Sequence, residues 1–450
     1  MIKARTDGLY LMILGTAIFL LLGFALENAA PVSTADFRLM YYSARCLLEH
    51  HDPYNPGELE LVYQAEGGAS PHDTAMTRTT ETQYIYPPTA FSITIPFAIL
   101  PFRAAQILWL LATAGSLTLG AFLMWEVSAQ YAPLLSGALI GLTLANCELF
   151  LAIAGPGGIA IGLCVAAAWC FVRERFVVSG VLFLAISLML KPHDSGLVWL
   201  YFFLAGGTSR KRAVQSLLVI VALSLPVLAW ISYVAPHWLQ GLHANLVANS
   251  VHGGLSDPGT ASAAGHGIAM IISLQTVFSF FRDDPRFYNS TSYGVCGILL
   301  VAWAVVRLRS RPSPKTAWLA IAPIAALSML PVYHRLDDAK LLLLTVPACA
   351  MLWIKGGPIG RIAALLNVVQ ILLTSGIPWA IFFAVIKGIQ FPGRGFARQL
   401  LIALQVFPAP IILLSVSVFY LLIFATQTPE GARAKEGSDT IENPQAHNAV

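Results

Sequence analysis

Apolar residues run along this chain in long blocks separated by short polar breaks. Such blocks predict membrane-spanning helices, because lipid offers no partner to an unpaired backbone amide and a helix satisfies its amides internally. A β-barrel would instead alternate polar and apolar positions in short strands. The pattern predicts about 12 spans of helical length, near 9–26, 103–125, 131–153, 155–172, 176–190, 193–206, 213–234, 289–307, 316–333, 338–354, 362–388 and 400–424. The runs 176–190 and 193–206 fall short of the roughly 20 residues that a full crossing needs. They read as half-depth helices or as one broken unit.

Two polar segments, 27–85 and 235–288, are too long to be mere connectors. The first is acidic, with Glu27, Asp36, Glu49, Asp52, Glu58, Glu60, Glu66, Asp73 and Glu81 against Arg38, Arg45 and Arg78. Inside it, "STADFRLMYYSARCLLEHH" carries a helix start: Ser33 or Thr34 can cap, and Asp36 lies in the first turn, where a carboxylate suits the helix dipole. Phe37, Tyr41, Ala44 and Leu48 share one face, which predicts an amphipathic helix on the outer membrane surface. The prolines of "HDPYNP" stop it. Asp36 then has two readings, a dipole-complementing acid or a general base at the membrane boundary, and local pattern does not separate them. Asp52 opens an Asp-Pro turn. The second loop contains the His- and Gly-rich "HANLVANSVHGGLSDPGTASAAGHG", in which His252 and His266 read as loop residues or sugar contacts, and then an apolar "IAMIISLQTVFSFF" suited to a short interfacial helix.

Composition agrees with the pattern. The 450 residues are 57% hydrophobic and 11% charged, with mean hydropathy +0.70, which excludes an ordinary soluble domain. The net charge of +4 comes without a basic, aromatic-laced groove, so no nucleic-acid partner is expected. Short-loop cations such as Arg173, Arg175, Arg210, Lys211, Arg212, Arg307, Arg309 and Arg311 place both termini on the cytoplasmic side of a cell (inner) membrane, although Lys387, Arg394 and Arg398 run the other way. The first apolar run ends in "ENA", like a signal peptide, but the spans that follow favour a retained first helix. Polar residues 425–450 read as a disordered cytoplasmic tail. Six scattered cysteines imply neither a disulfide framework nor a Cys/His metal motif.

Ionisable residues within apolar sequence mark candidate chemistry. Lys191 interrupts "LMLKPHDSG" beside His193 and Asp194, as a phosphate-binding cation or as a lysine snorkelling to the interface. Glu148 can pair with Lys191 or meet an acceptor. His334, Arg335, Asp337 and Asp338 read as an outer turn, most simply solvated. Tyr84 and Tyr86 read as interfacial aromatics or as part of a lipid access wall.

"ADFRLMYYSARCLLEHHDPYNP" followed by "YIYPPTAFSITIPFAILPF" resembles the first outer loop of the polytopic family 87 glycosyltransferases of the GT-C superfamily. The matching positions are Asp36 and Phe37, Tyr41 or Tyr42, Asp52 to Tyr54, and Tyr84 with Tyr86 to Pro88. "LMLKPHDSGLVWLYFFLAGGTSRKR" is similar to the family's Lys-Pro pair between two short helices and the basic turn after it. Two departures stand out. The chain reads "AGPGG" where the family has a Gly-Gln-x-Asn turn, and Tyr333 and His334 come in reversed order.

The resemblance implies an all-α, GT-C-like transmembrane domain over residues 1–424 with a long first extracytoplasmic loop. It implies inverting transfer of a sugar, mannose or another hexose, from a polyprenyl-phosphate donor to a hydroxyl of a glycan or glycolipid, with a carboxylate base. Asp36 is the expected base and Asp52 the runner-up. Lys191 and His193 are expected at the donor phosphate, and Tyr41, Tyr84, Tyr86, Glu148, Asp194, His334 and Arg335 are candidate substrate contacts. One phosphate can be balanced by Lys, Arg and His, so no metal cofactor is expected. The rival class, a transporter or flippase of lipid-linked sugars, calls for repeated halves that the sequence lacks.

Overall fold

The structure, a computed structural model, describes residues 2–29, 34–66, 83–252, 256–259, 271–311, 313–386 and 396–427. Among these residues it is helical throughout, with no strand beyond a single bridge between Ile271 and Arg335. By length and composition, six helices can cross a membrane: Lys3–Ala29, Phe102–Ser128, Pro133–Ala152, Gly207–Val234, Pro285–Arg309 and Pro408–Gln427. The pair Gly357–Leu373 and Gly376–Phe382, bent by 89°, makes a seventh if it counts as one.

The architecture is therefore polytopic and all-α; among the described residues six or seven helices meet this length and composition test, against about 12 apolar runs in the sequence. The difference has a physical cause. Gly157–Val172, Val177–Leu190 and Pro314–Leu327 are apolar but short, and the expected span 338–354 divides into a 3-10 helix, Leu336–Thr345, and an α-helix, Val346–Lys355. Their apolar side chains, such as Ile161, Leu184, Ile321 and Leu344, are wholly buried against other helices. Apolar composition reports burial in protein as well as burial in lipid. The short pair around Lys191 appears as expected, as Val177–Leu190 and Pro192–Ala205.

Glycines bring the first helix against Pro133–Ala145. A Cβ on Gly15 would lie 2.1 Å from the Gly141 carbonyl oxygen, and one on Gly137 would lie 2.1 Å from that of Gly8. Only hydrogen fits at such crossings, so the two backbones touch. Their contact delivers the chain after Ala29 to the short helix Leu149–Ala152. There the Thr34 amide donates to the Ala152 carbonyl (2.7 Å) and the Asp36 amide to that of Ile153 (3.2 Å). Orphan amides at one helix start thus satisfy orphan carbonyls at another helix end. Thr34 itself sits in the left-handed region (φ 56°) and makes no side-chain cap, contrary to expectation; Ser33 lies outside the described residues.

The helix Ala35–Leu48 follows, more enclosed than a surface helix. Phe37, Tyr41 and Ala44 are buried, and so are Met40, Ser43 and Leu47 on its other faces. Phe102 explains the enclosure: the rings of Phe37, Tyr41 and Tyr42 all lie within 6.0 Å of it. The second long loop contributes the helices Trp238–Asn249 and Leu274–Phe281. The last helix runs on through Gln427, past the expected boundary at 425; residues 428–450, like His266, lie outside the described residues.

If the glycine crossing sets this arrangement, Gly141→Leu must push two backbones apart, at a cost of at least about 1–3 kcal/mol. Gly115 has open space where a Cβ would go. Thermal unfolding in detergent should show a clear loss for Gly141→Leu and none for Gly115→Ala; equal melting temperatures would refute the assignment.

Candidate active site

Four interruptions of helix meet at one chamber: the start of Ala35–Leu48, the "AGPGG" turn, the Lys191 break, and the turn before Leu336–Thr345. Each has a local cause. Pro156 and Pro192 prevent continuous helix at the second and third, and Pro331 lies between the end of Pro314–Leu327 and the fourth.

Asp36 is half-buried, and its Oδ2 lies 2.7 Å from where a Cβ on Gly155 would be. A Cβ on Gly157 would lie 3.2 Å from Asp338 Oδ1 and 3.3 Å from Lys191 Nζ. At Gly155 and Gly157 the turn thus offers bare backbone, against which an acid, a lysine and a second acid converge. Ala154 takes the left-handed region (φ 55°), and its carbonyl accepts from Trp109 Nε1 at 2.8 Å. A side chain at Gly155, which matches the glycine of the Gly-Gln-x-Asn turn, would occupy the place of the Asp36 carboxylate; the departures from that turn fall at Pro156 and Gly158.

Lys191 contacts the Asp338 carboxylate and lies 3.6 Å from Asp194 Oδ2. No ion pair joins Lys191 to Glu148, so that expected pairing is corrected. Glu148 is buried elsewhere, among the charged neighbours of Lys340, and its Oε2 has no hydrogen-bond partner among the described residues. Lys340, also buried, donates to the Thr374 carbonyl at 3.0 Å.

The solvated turn expected at 334–338 is also corrected, since His334 and Asp338 are buried. The second long loop covers this turn: the Ile272 amide donates to the His334 carbonyl (2.9 Å) and the Leu274 amide to that of Leu330 (2.8 Å). His334 Nδ1 lies 3.0 Å from the Val332 carbonyl oxygen, and its Nε2 lies 3.1 Å from Asp194 Oδ1. The exposed ring of His193 packs edge-on to it at 4.8 Å. The Arg335 amide donates to Asp338 Oδ2 (3.1 Å), and its guanidinium contacts the Tyr333 hydroxyl.

Other expected site residues are placed differently. Tyr86 lies close enough to Asp36 for the two to interact electrostatically, whereas Tyr84 is buried behind it, stacked on Phe91 at 4.8 Å. Tyr41 donates to the Leu100 carbonyl (2.7 Å) within the aromatic packing. Asp52 Oδ1 accepts the Tyr54 amide (2.8 Å), and its charged neighbours are Glu58 and His237. It closes a turn and is not among the groups brought together. That turn still serves the chamber: the Tyr54 hydroxyl donates to the Tyr86 carbonyl (2.9 Å), and Asn245 Nδ2 donates to the carbonyls of Tyr54 and Tyr84.

The electrostatics suit a base. Burial raises the pKa of Asp36 above the usual carboxylate value of 3.8, while Arg335 and Lys191 pull it partly back. The result is a carboxylate more basic than one in water but still attracted to cations.

The sequence model of Glycosyltransferase family 87 matches residues 84–333. The chain belongs to glycosyltransferase family 87. It is a membrane glycosyltransferase of the GT-C-like polytopic class. No curated protein and no solved structure matches it. The family 87 match takes in "YIYPP", "AGPGG" and the Lys191 break, and it stops one residue short of His334.

Within this family 87 chain, sequence reasoning left Asp338, Gly155 and Gly157 out of the candidate site. A signal existed for Asp338: "LDDAKLLLL" sets acids at the edge of an apolar run, where ionisable residues call for a function. The glycines gave only an unexplained departure from the family pattern.

Gly155→Ala tests this contact. The new methyl must displace the Asp36 carboxylate, so turnover should fall at least about tenfold, as misplaced catalytic groups do, while the melting temperature stays near wild type. Unchanged turnover would separate Gly155 from the site.

Proposed function

We propose that this glycosyltransferase moves a sugar, mannose or another hexose, from a polyprenyl-phosphate donor to a hydroxyl of a glycan or glycolipid on the extracytoplasmic face, inverting the anomeric centre. The observation that carries the reading is the convergence of one basic carboxylate, Asp36, with two cations, Lys191 and Arg335, at the turn through Gly155 and Gly157.

In the proposed step the acceptor oxygen bonds to the anomeric carbon as the bond from that carbon to the phosphate oxygen breaks. The bonding pair leaves with the phosphate, and the hydroxyl proton passes to Asp36. Stabilising the departing phosphate falls to Lys191 and Arg335. An ammonium has three donors; Asp338 and Asp194 hold Lys191 from one side, which leaves a donor for the phosphate. Arg335 is anchored through its backbone and Tyr333, so its remaining guanidinium edge can clamp phosphate oxygens. Tyr86 would form the wall beside the sugar. Asp52 supports that wall through Tyr54.

With purified protein and a synthetic polyprenyl-phosphate mannose, Asp36→Asn should lower turnover by a factor on the order of 10²–10⁴, while Asp52→Asn retains most of it. Because burial raises the Asp36 pKa, the base is lost as pH falls through that raised value. The acidic limb of kcat/KM should therefore lie above the ordinary aspartate range. Full turnover by Asp36→Asn would sink the assignment.

Arg335→Gln should raise the donor KM about tenfold or more, as loss of a charge-assisted hydrogen bond does, and leave the acceptor KM nearly unchanged. Equal changes in both would remove Arg335 from the phosphate. Lys191→Ala is a harsher probe, since it leaves Asp338 and Asp194 buried without their cation.

A further inference from the structure

We propose that Asp194, His334 and His193 form a binding site for one divalent transition-metal ion of the zinc class, with an open coordination position toward the chamber. Its suggested role, holding an oxygen of the donor phosphate, rests on the transferase reading above; the site itself does not.

The three residues offer ligand atoms that all lie within 4.8 Å of one another. His334 Nδ1 is 3.0 Å from the Val332 carbonyl oxygen. A carbonyl only accepts, so Nδ1 carries the hydrogen, and in the neutral ring Nε2 is left with its lone pair. That lone pair lies 3.1 Å from Asp194 Oδ1, which is also an acceptor.

Both residues are almost wholly buried: His334 is 0% exposed and Asp194 is 1% exposed. Even so, neither His334 Nε2 nor either Asp194 oxygen has an aligned hydrogen-bond partner among the described residues. Two facing acceptors in a dry setting repel each other, and buried polar atoms without partners are costly. A cation between them turns the repulsion into ligation. The Nδ1–H to carbonyl bond is the outer contact that typically orients a metal-binding histidine.

The geometry fits. His193 Nε2 lies 3.7 Å from the same Asp194 Oδ1, so both imidazoles approach one oxygen. Lys191 approaches the other oxygen, Oδ2, at 3.6 Å and leaves Oδ1 to them. Ligand atoms about 2.0–2.1 Å from a tetrahedral ion stand about 3.3 Å apart, and the two separations seen, 3.1 and 3.7 Å, bracket that value. His193 is exposed, which allows the small adjustment needed and gives the ion a way in.

Charge points the same way. Asp36, Asp194, Asp337 and Asp338 act on Lys191 and Arg335, while Lys340 has Glu148 beside it. The chamber thus has an excess of carboxylate that a divalent ion would neutralise. Three protein ligands of nitrogen and oxygen type with one open position are the pattern of catalytic zinc sites, in which the ion can act as a Lewis acid on a phosphoryl oxygen. The proposal runs against the metal-free chemistry expected from balancing one phosphate with Lys, Arg and His. His334 is remote in sequence from the other two ligands, so no spacing motif could announce the site.

The test uses the full-length protein in detergent, stripped with chelator and equilibrated with Zn²⁺, Mn²⁺ or Mg²⁺ alone, with bound metal measured by mass spectrometry. Wild type should retain roughly one zinc per chain, hold manganese more weakly and magnesium not at all, and melt higher with zinc. Zinc binding should weaken more than about tenfold in His193→Ala and disappear in His334→Ala.

Because His193 is exposed, its variant keeps the test valid if His334→Ala fails to fold. Wild type that binds no more zinc than His193→Ala overturns the site and identifies the Asp194–His334 contact as an imidazolium–carboxylate pair. If zinc binds but stripping leaves the donor KM unchanged, the site stands and its phosphate role falls. If no zinc binds and transfer proceeds, the transferase reading stands without the metal.

Discussion

The contact between the Lys191 ammonium and the Asp338 carboxylate spans 147 residues of sequence and ties together two of the breaks that make the chamber. In a low-dielectric interior neither charge is tolerable alone, and removing one partner strands the other at a cost of about 3–5 kcal/mol. The pair therefore fixes where the Pro192–Ala205 helix begins and where the turn before Leu336–Thr345 must lie. Asp194, His334 and Arg335 take their positions from those two anchors. So does the turn through Gly155 and Gly157, where a Cβ would meet the Asp36, Asp338 and Lys191 side chains.

Non-helical backbone inside a membrane protein has to find partners within the protein, and each break here finds them. The amides of Thr34 and Asp36 meet the carbonyls of Ala152 and Ile153. At the 89° bend, the Lys340 ammonium holds the Thr374 carbonyl. Beside it a buried chain of side-chain hydrogen bonds links Thr345, Asn367, Gln370 and Tyr420 across three helices. Such polar links hold helices together where apolar surface cannot tell protein from lipid. They let the active chamber be built from helix ends without loosening the bundle.

What could be read from the sequence followed from how local its cause was. The short pair around Lys191 was legible because Lys-Pro interrupts two apolar runs at one point. The Ala35–Leu48 helix was legible through its spacing, its start after Thr34 with Asp36 in the first turn, and its closing prolines; what satisfies that start was not, because the carbonyls that receive the Thr34 and Asp36 amides lie in another part of the chain. Hydropathy also does not separate lipid-facing from protein-facing positions: Ile321 and Leu344 lie in apolar runs and are buried against protein. The partner of Lys191 was misassigned to Glu148, an acid within an apolar block. Asp338 was hidden in a turn that looked solvated until the segment 271–274 was seen to cover it. Tyr86 and Tyr84, two residues apart in one motif, divide into a chamber wall and its packing, which no linear pattern distinguishes.

The crossing of Gly15 and Gly141 also bears on how the protein is made. The segment bearing Asp36 leaves the ribosome soon after the first helix, long before the glycines and carbonyls that seat it have been synthesised. Until Pro133–Ala145 inserts and meets that helix, the acid has no seat. Until the chain reaches Asp338, Lys191 has no buried counter-charge from that turn. The chamber therefore closes late in biosynthesis, and until then the Asp36 carboxylate lacks the surroundings that set it apart from an ordinary acid.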